Sequence, residues 1–255
     1  MTMKNQLILL VLLAGIFSNC KDKEPNKKET QASDMMAQQD TKKTDQEGWT
    51  VLFDGTSFDG WKAYLKDGMA EHWKLEDGAM VFYPPAERPD GASYNLVSEK
   101  DYTNFVLSLE WKVAKGANSG IFWGIKEDAA FGQPYETGPE IQVLDNTTHP
   151  DARNGTTHQA GALYDMIAPS EDVTKPAGEW NTCVITVNYK EQQGEVRLNG
   201  VAIVTFPLGN SEWDALVAKS KFANWTGFGK YHTGKIGLQD HGDMVAFRNI
   251  KIKEL

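Results

Sequence analysis

The chain has 255 residues, of which 24% are charged and 40% hydrophobic, an ordinary composition for a globular protein with a sizeable core. The net charge of −9 and an isoelectric point near 5.1 argue against a nucleic-acid-binding protein, which would carry a basic patch. The two cysteines, Cys20 and Cys183, are too few for a disulfide scaffold.

Residues 1–20 have the pattern of a bacterial lipoprotein signal peptide. Lys4 precedes an apolar run from Leu7 to Phe17, which is too short for a hydrocarbon core that needs about 20 residues. Cys20 lies where a lipoprotein is cleaved and lipidated, although Asn19 departs from the usual lipobox. We expect export and a lipid anchor at Cys20 in the outer membrane, on its periplasmic or surface face. A secretory signal with an incidental cysteine is the alternative.

The next segment, residues 21–47, contains no Val, Ile, Leu, Phe, Trp or Tyr. Such a stretch cannot bury enough apolar surface to offset the entropy of ordering it, so we predict a disordered tether. The remaining residues, 48–255, are predicted to form one domain. Within it Cys183 alternates with Ile185 and Val187, the pattern of a buried strand and an inert thiol.

Hydrophobic residues from position 48 onward alternate with a period of two, which predicts strands. Asn199-Gly200 predicts a type I′ hairpin because both residues tolerate a positive φ. One stretch looks helical, beginning at Ser211 as the cap. Many short strands and one short helix predict an all-β fold, a jelly-roll β-sandwich. The predicted strands are Trp49–Phe53, Ala79–Phe82, Phe105–Trp111, Gly120–Ile125, Glu140–Leu144, Gly161–Asp165, Thr182–Tyr189, Glu195–Leu198, Val201–Phe206, Lys235–Gln239 and Val245–Ile252.

The run Glu140-Ile141-Gln142-Val143-Leu144-Asp145 carries the first cluster of candidate site residues. Glu140 and Gln142 share one face of a regular strand, and a bulge near Leu144 would turn Asp145 onto the same face. Polar groups in mid-sheet make sense if that face is a ligand cleft, whereas a solvent-exposed polar face is the alternative. Further polar residues follow before or within the next apolar stretch: His149, Asp151, His158 and Tyr164.

A second cluster follows the strand near the C-terminus, in the turn Gln239-Asp240-His241-Gly242-Asp243. His241 can act as a base oriented by a carboxylate, as a metal ligand, or as a loop cap. Asn118 begins a tight turn that could face a ligand, and Arg248 could bind a carboxylate or sugar hydroxyls. Trp61, Trp73, Trp123 and Trp225 could stack against sugars or pack in the core.

Several blocks together resemble the 3-keto-disaccharide hydrolase domain family over nearly all of residues 49–255. They include Leu52-Phe53-Asp54-Gly55, Asn118-Ser119-Gly120-Ile121, Gly138-Pro139-Glu140-Ile141-Gln142, Gly161-Ala162-Leu163-Tyr164-Asp165 and Gly237-Leu238-Gln239-Asp240-His241-Gly242. The resemblance implies a concanavalin-like jelly roll on a secreted or lipid-anchored protein. It also implies cleavage of glycosides whose sugar has first been oxidised to a ketone at C3.

The Glu140 to Asp145 run is also similar to the E-x-D-x-x-E strand of laminarinase-like glycoside hydrolases, which share the jelly roll. Gln142 replaces the central acid and Asp145 is shorter than the usual Glu. A retaining pair needs carboxyl groups about 5–5.5 Å apart, and Asp145 is poorly suited to that geometry. Ordinary retaining hydrolysis is therefore disfavoured.

On a 3-keto sugar the ketone acidifies the C2 hydrogen, so one base can start elimination of the C1 substituent before water adds back. We expect Glu140 or His241 to be the base and the other to be the acid or an orienting group. Asp145 is a further catalytic candidate and, with Gln142, would contact sugar hydroxyls. The expected substrate-binding residues are Gln142, Asn118, Asp240, Arg248, Tyr164 and Trp123.

No cofactor is required by this scheme, although Asp145 and His149 could hold a divalent metal that polarises the ketone. The expected substrate is an oxidised mono- or disaccharide glycoside, made by a separate sugar 3-dehydrogenase. No nucleic-acid partner is expected, and the membrane would be contacted only through the lipid anchor. The alternative is a carbohydrate-binding surface lipoprotein without catalysis, because jelly rolls serve lectins as readily as enzymes.

Overall fold

The computed structural model describes residues 47–255, which belong to one compact unit. The predicted signal peptide with Cys20, and the predicted tether up to residue 46, lie outside the described residues. The strands of the described part are β1 (Thr50–Phe53), β2 (Trp61–Ala63), β3 (Trp73–Glu76), β4 (Ala79–Phe82), β5 (Leu96–Tyr102), β6 (Phe105–Val113), β7 (Asn118–Ile125), β8 (Glu140–Leu144), β9 (Asn181–Asn188), β10 (Gln193–Leu198), β11 (Val201–Pro207), β12 (Gly234–Leu238) and β13 (Val245–Glu254).

Helical structure is sparse in the described residues. One α-helix, α1, spans Ser211–Val217, and three short 3₁₀ turns lie at Pro134–Glu136, Pro150–Asn154 and Thr156–His158. None of the helices in residues 47–255 is both long and apolar enough to cross a membrane.

The strands form two antiparallel sheets. The larger sheet has the order β11-β10-β9-β6-β13-β4-β3, and β1 pairs with the far half of β13. The smaller sheet has the order β2-β5-β12-β7-β8. The expected all-β fold of the jelly-roll type, with two sheets and one short helix, is therefore confirmed.

The core lies where alternate side chains of the two sheets meet. On β6 the residues Phe105, Leu107, Leu109 and Trp111 are buried and the residues between them are partly exposed, as the period of two requires. Strands β7 and β8 differ, because every one of their residues is buried. Their second face is therefore covered by loops, and this face carries the candidate site.

Strand prediction succeeded for most strands of the described residues and failed for three of them. The bounds of β4 and β8 agree with the prediction, and the Asn199-Gly200 hairpin joins β10 to β11 with positive φ at both residues. The strands β2, β3 and β5 were not predicted. Beside β8, the predicted strand Gly161–Asp165 is a turn with an isolated bridge at Leu163.

The start of α1 also differs from the prediction. Asn210, not Ser211, is the N-cap, and its side-chain oxygen accepts a hydrogen bond from the Trp213 amide. Asn and Ser both serve as caps, so the sequence pattern left a choice between adjacent positions.

Candidate active site

The candidate site is built on one face of the β7–β8 pair. Gly120 lies opposite Gln142, and Phe122 lies opposite Glu140. Directly opposed residues of antiparallel strands point to the same face, so these four share a face, and Ile121 and Ile141 point from the other side into the core. On the outer edge of β8, the segment from Gly161 to Tyr164 covers the strand by backbone hydrogen bonds, including Tyr164 N–H to the Glu140 carbonyl at 3.0 Å.

Glu140 is the most perturbed acid of this face. It is 7% exposed, and no residue of the described chain donates a hydrogen bond to its carboxyl group. Burial raises the pKa of Glu140 to about 8; the Lys221 ammonium opposes the shift and the Asp151 carboxylate adds to it. A carboxyl group with this pKa can both take and return a proton near neutral pH.

Three side-chain amides line the same face beside Glu140. Asn118 and Gln142 follow from the strand register, and Gln239 joins them because its backbone N–H donates to the Gly120 carbonyl at 2.9 Å. The carbonyl oxygens Asn118 Oδ1, Gln142 Oε1 and Gln239 Oε1 are buried and have no hydrogen-bond partner. Buried acceptors are normally satisfied, so these three oxygens on one face are acceptors that water or a ligand could satisfy.

Asp151 organises a network on the β8 side of the site. Its carboxylate contacts His158 Nδ1 at 2.9 Å and accepts hydrogen bonds from Tyr164 Oη at 3.1 Å and from the Asn154 amide at 2.8 Å. Burial works to raise the pKa of Asp151, but these hydrogen bonds outweigh it and lower the pKa. Asp151 is therefore an ionised anchor for Tyr164.

The other nitrogen of His158 faces a second carboxylate. His158 Nε2 lies 3.2 Å from Asp165 Oδ1, and burial followed by the Asp151 charge raises the pKa of the neighbouring Tyr164. This chain of contacts fixes the turn that covers β8. Tyr164, expected to bind substrate, lies at the site with its hydroxyl held by Asp151.

A second group of polar side chains lies at the β7 end of the site. His149, His241 and Asp243 offer nitrogen or carboxylate atoms that lie within 4.8 Å of one another, a set that could hold a divalent cation. His149 Nδ1 accepts the Asp151 backbone N–H, so the neutral ring carries its hydrogen on Nε2. In this arrangement Nδ1 accepts and only the Nε2–H group can donate, so His149 becomes a metal ligand only if the contact with the Asp151 N–H is exchanged.

His241 reaches solvent at the edge of this group. The protein atoms around its ring lower the pKa of His241, and His149 contributes in the same direction, whereas Asp243 opposes both. Its ring centroid lies 6.2 Å from that of His149. The Asp151 charge contributes to the pKa of both Glu140 and His241, and it acts to raise each of them.

The structure gives Asp145 a role that differs from the expectation. No register shift interrupts β7 and β8, so the predicted bulge near Leu144 is wrong. The Asp145 carboxylate accepts hydrogen bonds from the backbone N–H groups of Gly116 and Thr147 and from the Thr148 hydroxyl. Burial raises its pKa, but these hydrogen bonds prevail and lower it. Asp145 holds a turn, and its carboxylate is not part of the group that contains His149.

Asp240 is also occupied by protein partners. Arg88 binds its carboxylate with both terminal nitrogens, one at 2.8 Å, and the backbone amides of Tyr94 and Gly242 complete its hydrogen bonds. Asp240 therefore holds the loop that carries Arg88 against the turn that carries His241, which differs from the expected role in substrate binding. The sequence offered no signal for Arg88, which is 152 positions away from its partner.

Two expected substrate-binding residues lie elsewhere. Arg248 is on the outer face of the larger sheet, where it pairs with Glu110 at 2.7 Å and covers the Trp180 ring. Trp123 is 1% exposed and packs against Phe206 in the core, on the opposite side of β7 from Gly120. Both corrections follow from strand alternation, which sends neighbouring residues to opposite faces.

The fold and this face define a class of protein, a jelly roll with a polar candidate site on the smaller sheet. Residues 48–253 match the model of the 3-keto-alpha-glucoside-1,2-lyase-like domain, and the chain belongs to that family. A curated relative, the 3-keto-disaccharide hydrolase of Bacteroides thetaiotaomicron, is 38% identical over 234 residues, which cover 83% of this chain and 80% of the relative. The family resemblance seen in the sequence is therefore confirmed.

Solved structures from Parabacteroides distasonis ATCC 8503 agree. One protein, provisionally described as a glycosyl hydrolase, is 30% identical with a TM-score of 0.74, covering 92% of this chain and all of that one. A second with the same description is 25% identical with a TM-score of 0.60, covering 81% of this chain and 99% of that one. Together with the curated relative, these findings confirm the expectation of an enzyme of the glycoside hydrolase class.

Proposed function

We propose that this enzyme cleaves glycosides whose sugar carries a ketone at C3, by base-initiated elimination at C1 followed by addition of water. The observation that carries the proposal is Glu140, a buried carboxyl group with a pKa of about 8 and no hydrogen-bond partner among the described residues. The substrate class comes from the curated relative, which is named for hydrolysis of 3-keto-disaccharides.

The steps balance without an external oxidant or reductant. The Glu140 carboxylate takes the proton from C2, and the electron pair of that bond moves to the ketone oxygen to give an enolate. When the ketone reforms, a double bond forms between C1 and C2 and the bond from C1 to the leaving oxygen breaks. The leaving oxygen takes a proton, and water then adds hydroxyl to C1 and a proton to C2.

His241 is the proposed donor of the proton to the leaving group. It lies at the solvent-facing edge of the site, beside His149 and Asp243, and senses the same Asp151 charge as Glu140. An acid at the open edge suits a leaving sugar that must depart into solvent. The imidazole can be protonated again from water after each turnover.

The amide face supplies the proposed sugar contacts. The unpartnered carbonyl oxygens of Asn118, Gln142 and Gln239 can each accept a hydrogen bond from a sugar hydroxyl. A bound sugar would satisfy acceptors that are otherwise buried at a cost, so this binding is selective for a ligand rich in hydroxyl groups.

Direct retaining hydrolysis is a weaker account of the same face. It needs a second carboxylate near Glu140, at about 5–5.5 Å. Within residues 47–255 the nearby acid Asp151 is held by His158, Tyr164 and Asn154, and Asp145 is held by its own turn. Elimination from a 3-keto sugar needs only one free carboxyl group, and Glu140 provides it.

The test compares a 3-keto glycoside with its unoxidised parent, both labelled with deuterium at C2. We expect turnover of the oxidised substrate alone, with loss of the deuterium to water. Glu140→Gln keeps the size of the side chain and removes the base, so kcat should fall by about 10²–10⁴-fold. Glu171→Gln, at an exposed acid, is the matched control and should leave kcat unchanged.

Two other results would contradict the proposal. Equal turnover of the oxidised and parent glycosides would indicate ordinary hydrolysis. Sugar binding without turnover, unchanged in Glu140→Gln, would indicate the carbohydrate-binding lipoprotein that the sequence left as the alternative.

We also propose that the enzyme is exported and anchored by lipid on Cys20, and that a separate dehydrogenase supplies the ketone. The first proposal rests on the signal-peptide pattern of residues 1–20. The second rests on chemistry, because the elimination consumes a ketone and the steps above do not create one. Cys20→Ala should move the protein from the membrane fraction to the soluble fraction, and unchanged fractionation would contradict the anchor.

A further inference from the structure

The elimination leaves one requirement unmet, a positive group for the oxygen that becomes an enolate. Proton removal from C2 transfers negative charge to the oxygen on C3, and preorganised stabilisation of such an oxyanion is commonly a large part of catalysis. Glu140 itself is the base, and the side-chain amides of Asn118, Gln142 and Gln239 carry no charge. The positive group must therefore come from another part of the chain.

Lys221 is a cation at the end of the site where Tyr164 and Glu140 lie. Its Nζ lies 4.0 Å from the centre of the Tyr164 ring, and the Tyr164 backbone is hydrogen-bonded to the Glu140 carbonyl. No carboxylate of the described residues lies within salt-bridge distance of this ammonium. Lys221 thus carries a charge that the protein leaves without an anionic partner, next to the residue that would generate an anion in the substrate.

The backbone of Lys221 is fixed on both sides. Its N–H donates to Asp165 Oδ2 at 2.8 Å, and Asp165 is tied through His158 to Asp151. The next residue, Phe222, is buried and stacks on Phe228 with ring centroids 3.9 Å apart. The loop is therefore held against the turn that covers β8, so the flexible lysine side chain starts from a defined point.

We propose that Lys221 is a catalytic residue whose ammonium group binds the ketone oxygen and stabilises the enolate formed when Glu140 removes the C2 proton. The ketone oxygen is two bonds from C2. The base must therefore lie beside C2 and the cation beside the oxygen on the adjacent carbon, C3. The C2–H bond breaks, its electron pair forms the C2–C3 double bond, and the carbonyl pair moves to the oxygen beside the ammonium. This assignment rests on the function proposed above.

The electrostatics of Glu140 agree with this geometry. The charged groups that influence the pKa of Glu140 are Lys221 and Asp151, and Glu140 in turn contributes to the raised pKa of Tyr164. Lys221 lowers the pKa of Glu140, whereas Asp151 raises it. Removal of the lysine charge should therefore raise this pKa and move the acidic limb of the rate profile to higher pH.

The test uses Lys221→Met, which keeps much of the side-chain length without the charge, and Lys221→Arg, which keeps the charge. Lys219→Met, an exposed lysine on the same loop, is the matched control. With a 3-keto glycoside, we expect Lys221→Met to lower kcat by about 10²–10³-fold, the usual effect of losing an oxyanion donor. KM should change little, Lys221→Arg should recover at least about tenfold, and Lys219→Met should match the wild type.

Two further readouts separate catalysis from a structural effect. Exchange of the C2 hydrogen with deuterium oxide should slow in Lys221→Met as much as product formation does, because both depend on the enolate. The acidic limb of kcat/KM should move to higher pH, while the thermal unfolding midpoint stays that of the wild type.

Wild-type turnover with an unchanged rate of C2 exchange in Lys221→Met would overturn the role of Lys221 and leave the proposed function intact. Equal losses in Lys221→Met and Lys219→Met would also overturn it, because they would indicate a general charge effect. If the wild type did not cleave the 3-keto glycoside, the proposed function and this role would both fail.

Discussion

The carboxyl group of Glu140 on β8 fills the space beside Gly120 on β7 that a side chain at position 120 would occupy. Gly120 has no side chain, and a Cβ atom at this position would collide with the carboxyl group of Glu140. The backbone of Gly120 is in an ordinary conformation, so the position requires glycine for space and not for a left-handed φ. The Glu140 carboxyl group can occupy this position because Gly120 on the neighbouring strand has no side chain.

Gly120→Ala should therefore lower kcat by about 10²-fold in a protein that still folds. The added methyl group must displace the Glu140 side chain, and a misplacement of about 1 Å can cost about 10²-fold in rate. The measurement is kcat on a 3-keto glycoside, with circular dichroism to verify folding. Gly132→Ala is the control, because a Cβ there meets only Glu136 Oε1 at an ordinary 3.5 Å. Wild-type activity in Gly120→Ala would show that Glu140 need not occupy this position.

The pH dependence of the rate tests Glu140 as a base. Only the carboxylate can take a proton, and burial raises the pKa of Glu140 to about 8. Removal of the C2 proton comes before the step that uses His241. Where this first step limits the rate, we expect kcat/KM to fall about tenfold for each pH unit below about 8 and to level off above it. Reactions without enzyme must be subtracted, because base alone promotes elimination from 3-keto sugars. A profile that is flat between pH 6 and 9 would contradict this assignment.

The same pKa predicts an unusual pH dependence of stability. Unfolding returns Glu140 to water, where its pKa is 4.5, so between about 4.5 and about 8 the folded state binds a proton that the unfolded state has lost. The stabilising contribution is complete below 4.5 and declines by about 1.4 kcal/mol per pH unit until the pH passes about 8. Glu140→Gln has no carboxyl group to ionise, so its stability does not decline in this way. Its free energy of unfolding relative to that of the wild type should therefore increase from pH 5 to pH 8.

Urea unfolding at several pH values measures this difference. The comparison variant is again Glu171→Gln, at an exposed side chain, which should follow the wild type at every pH. A constant difference between Glu140→Gln and the wild type across this range would mean that the carboxyl group is ionised in the folded state already at pH 5.

The sequence predicted the part of the site that follows from strand alternation. Glu140 and Gln142 share a face because β8 is a regular strand, and the amides of Asn118 and Gln239 belong to blocks that the family resemblance had already marked. Asp145 was misplaced because its partners are backbone amides of the Gly116 and Thr147 turns. Such local hydrogen bonds leave no trace in a hydrophobic pattern.

Long-range pairs and strands with broken alternation could not be predicted from the hydrophobic pattern, for a related reason. Arg88 meets Asp240 across 152 positions, and Lys221 meets Tyr164 only because two loops pack together. Strand β5 has three exposed residues in its second half, so its alternation is broken. Periodicity reports which face of an element is buried, whereas the meeting of loops depends on the whole topology.

The unpartnered amide oxygens lead to the last prediction. A substitution at Gln239 should stabilise the free enzyme and weaken substrate binding. Gln239 Oε1 is buried without a hydrogen bond, and leaving such a group unsatisfied costs about 1–3 kcal/mol. Gln239→Met replaces the amide by an apolar group of similar length. The free enzyme should therefore be more stable than the wild type, by up to about this amount.

The same substitution should weaken substrate binding, because a sugar hydroxyl would lose its acceptor. We expect KM for a 3-keto glycoside to rise about tenfold, the equivalent of one hydrogen bond of about 1.4 kcal/mol. Urea unfolding without ligand and steady-state kinetics give the two values on the same preparations. Trp180→Phe, a change on the outer face of the larger sheet, controls for effects unrelated to the site. A Gln239→Met variant with lower stability and unchanged KM would mean that this oxygen serves the fold, and that the amide face does not receive the sugar there.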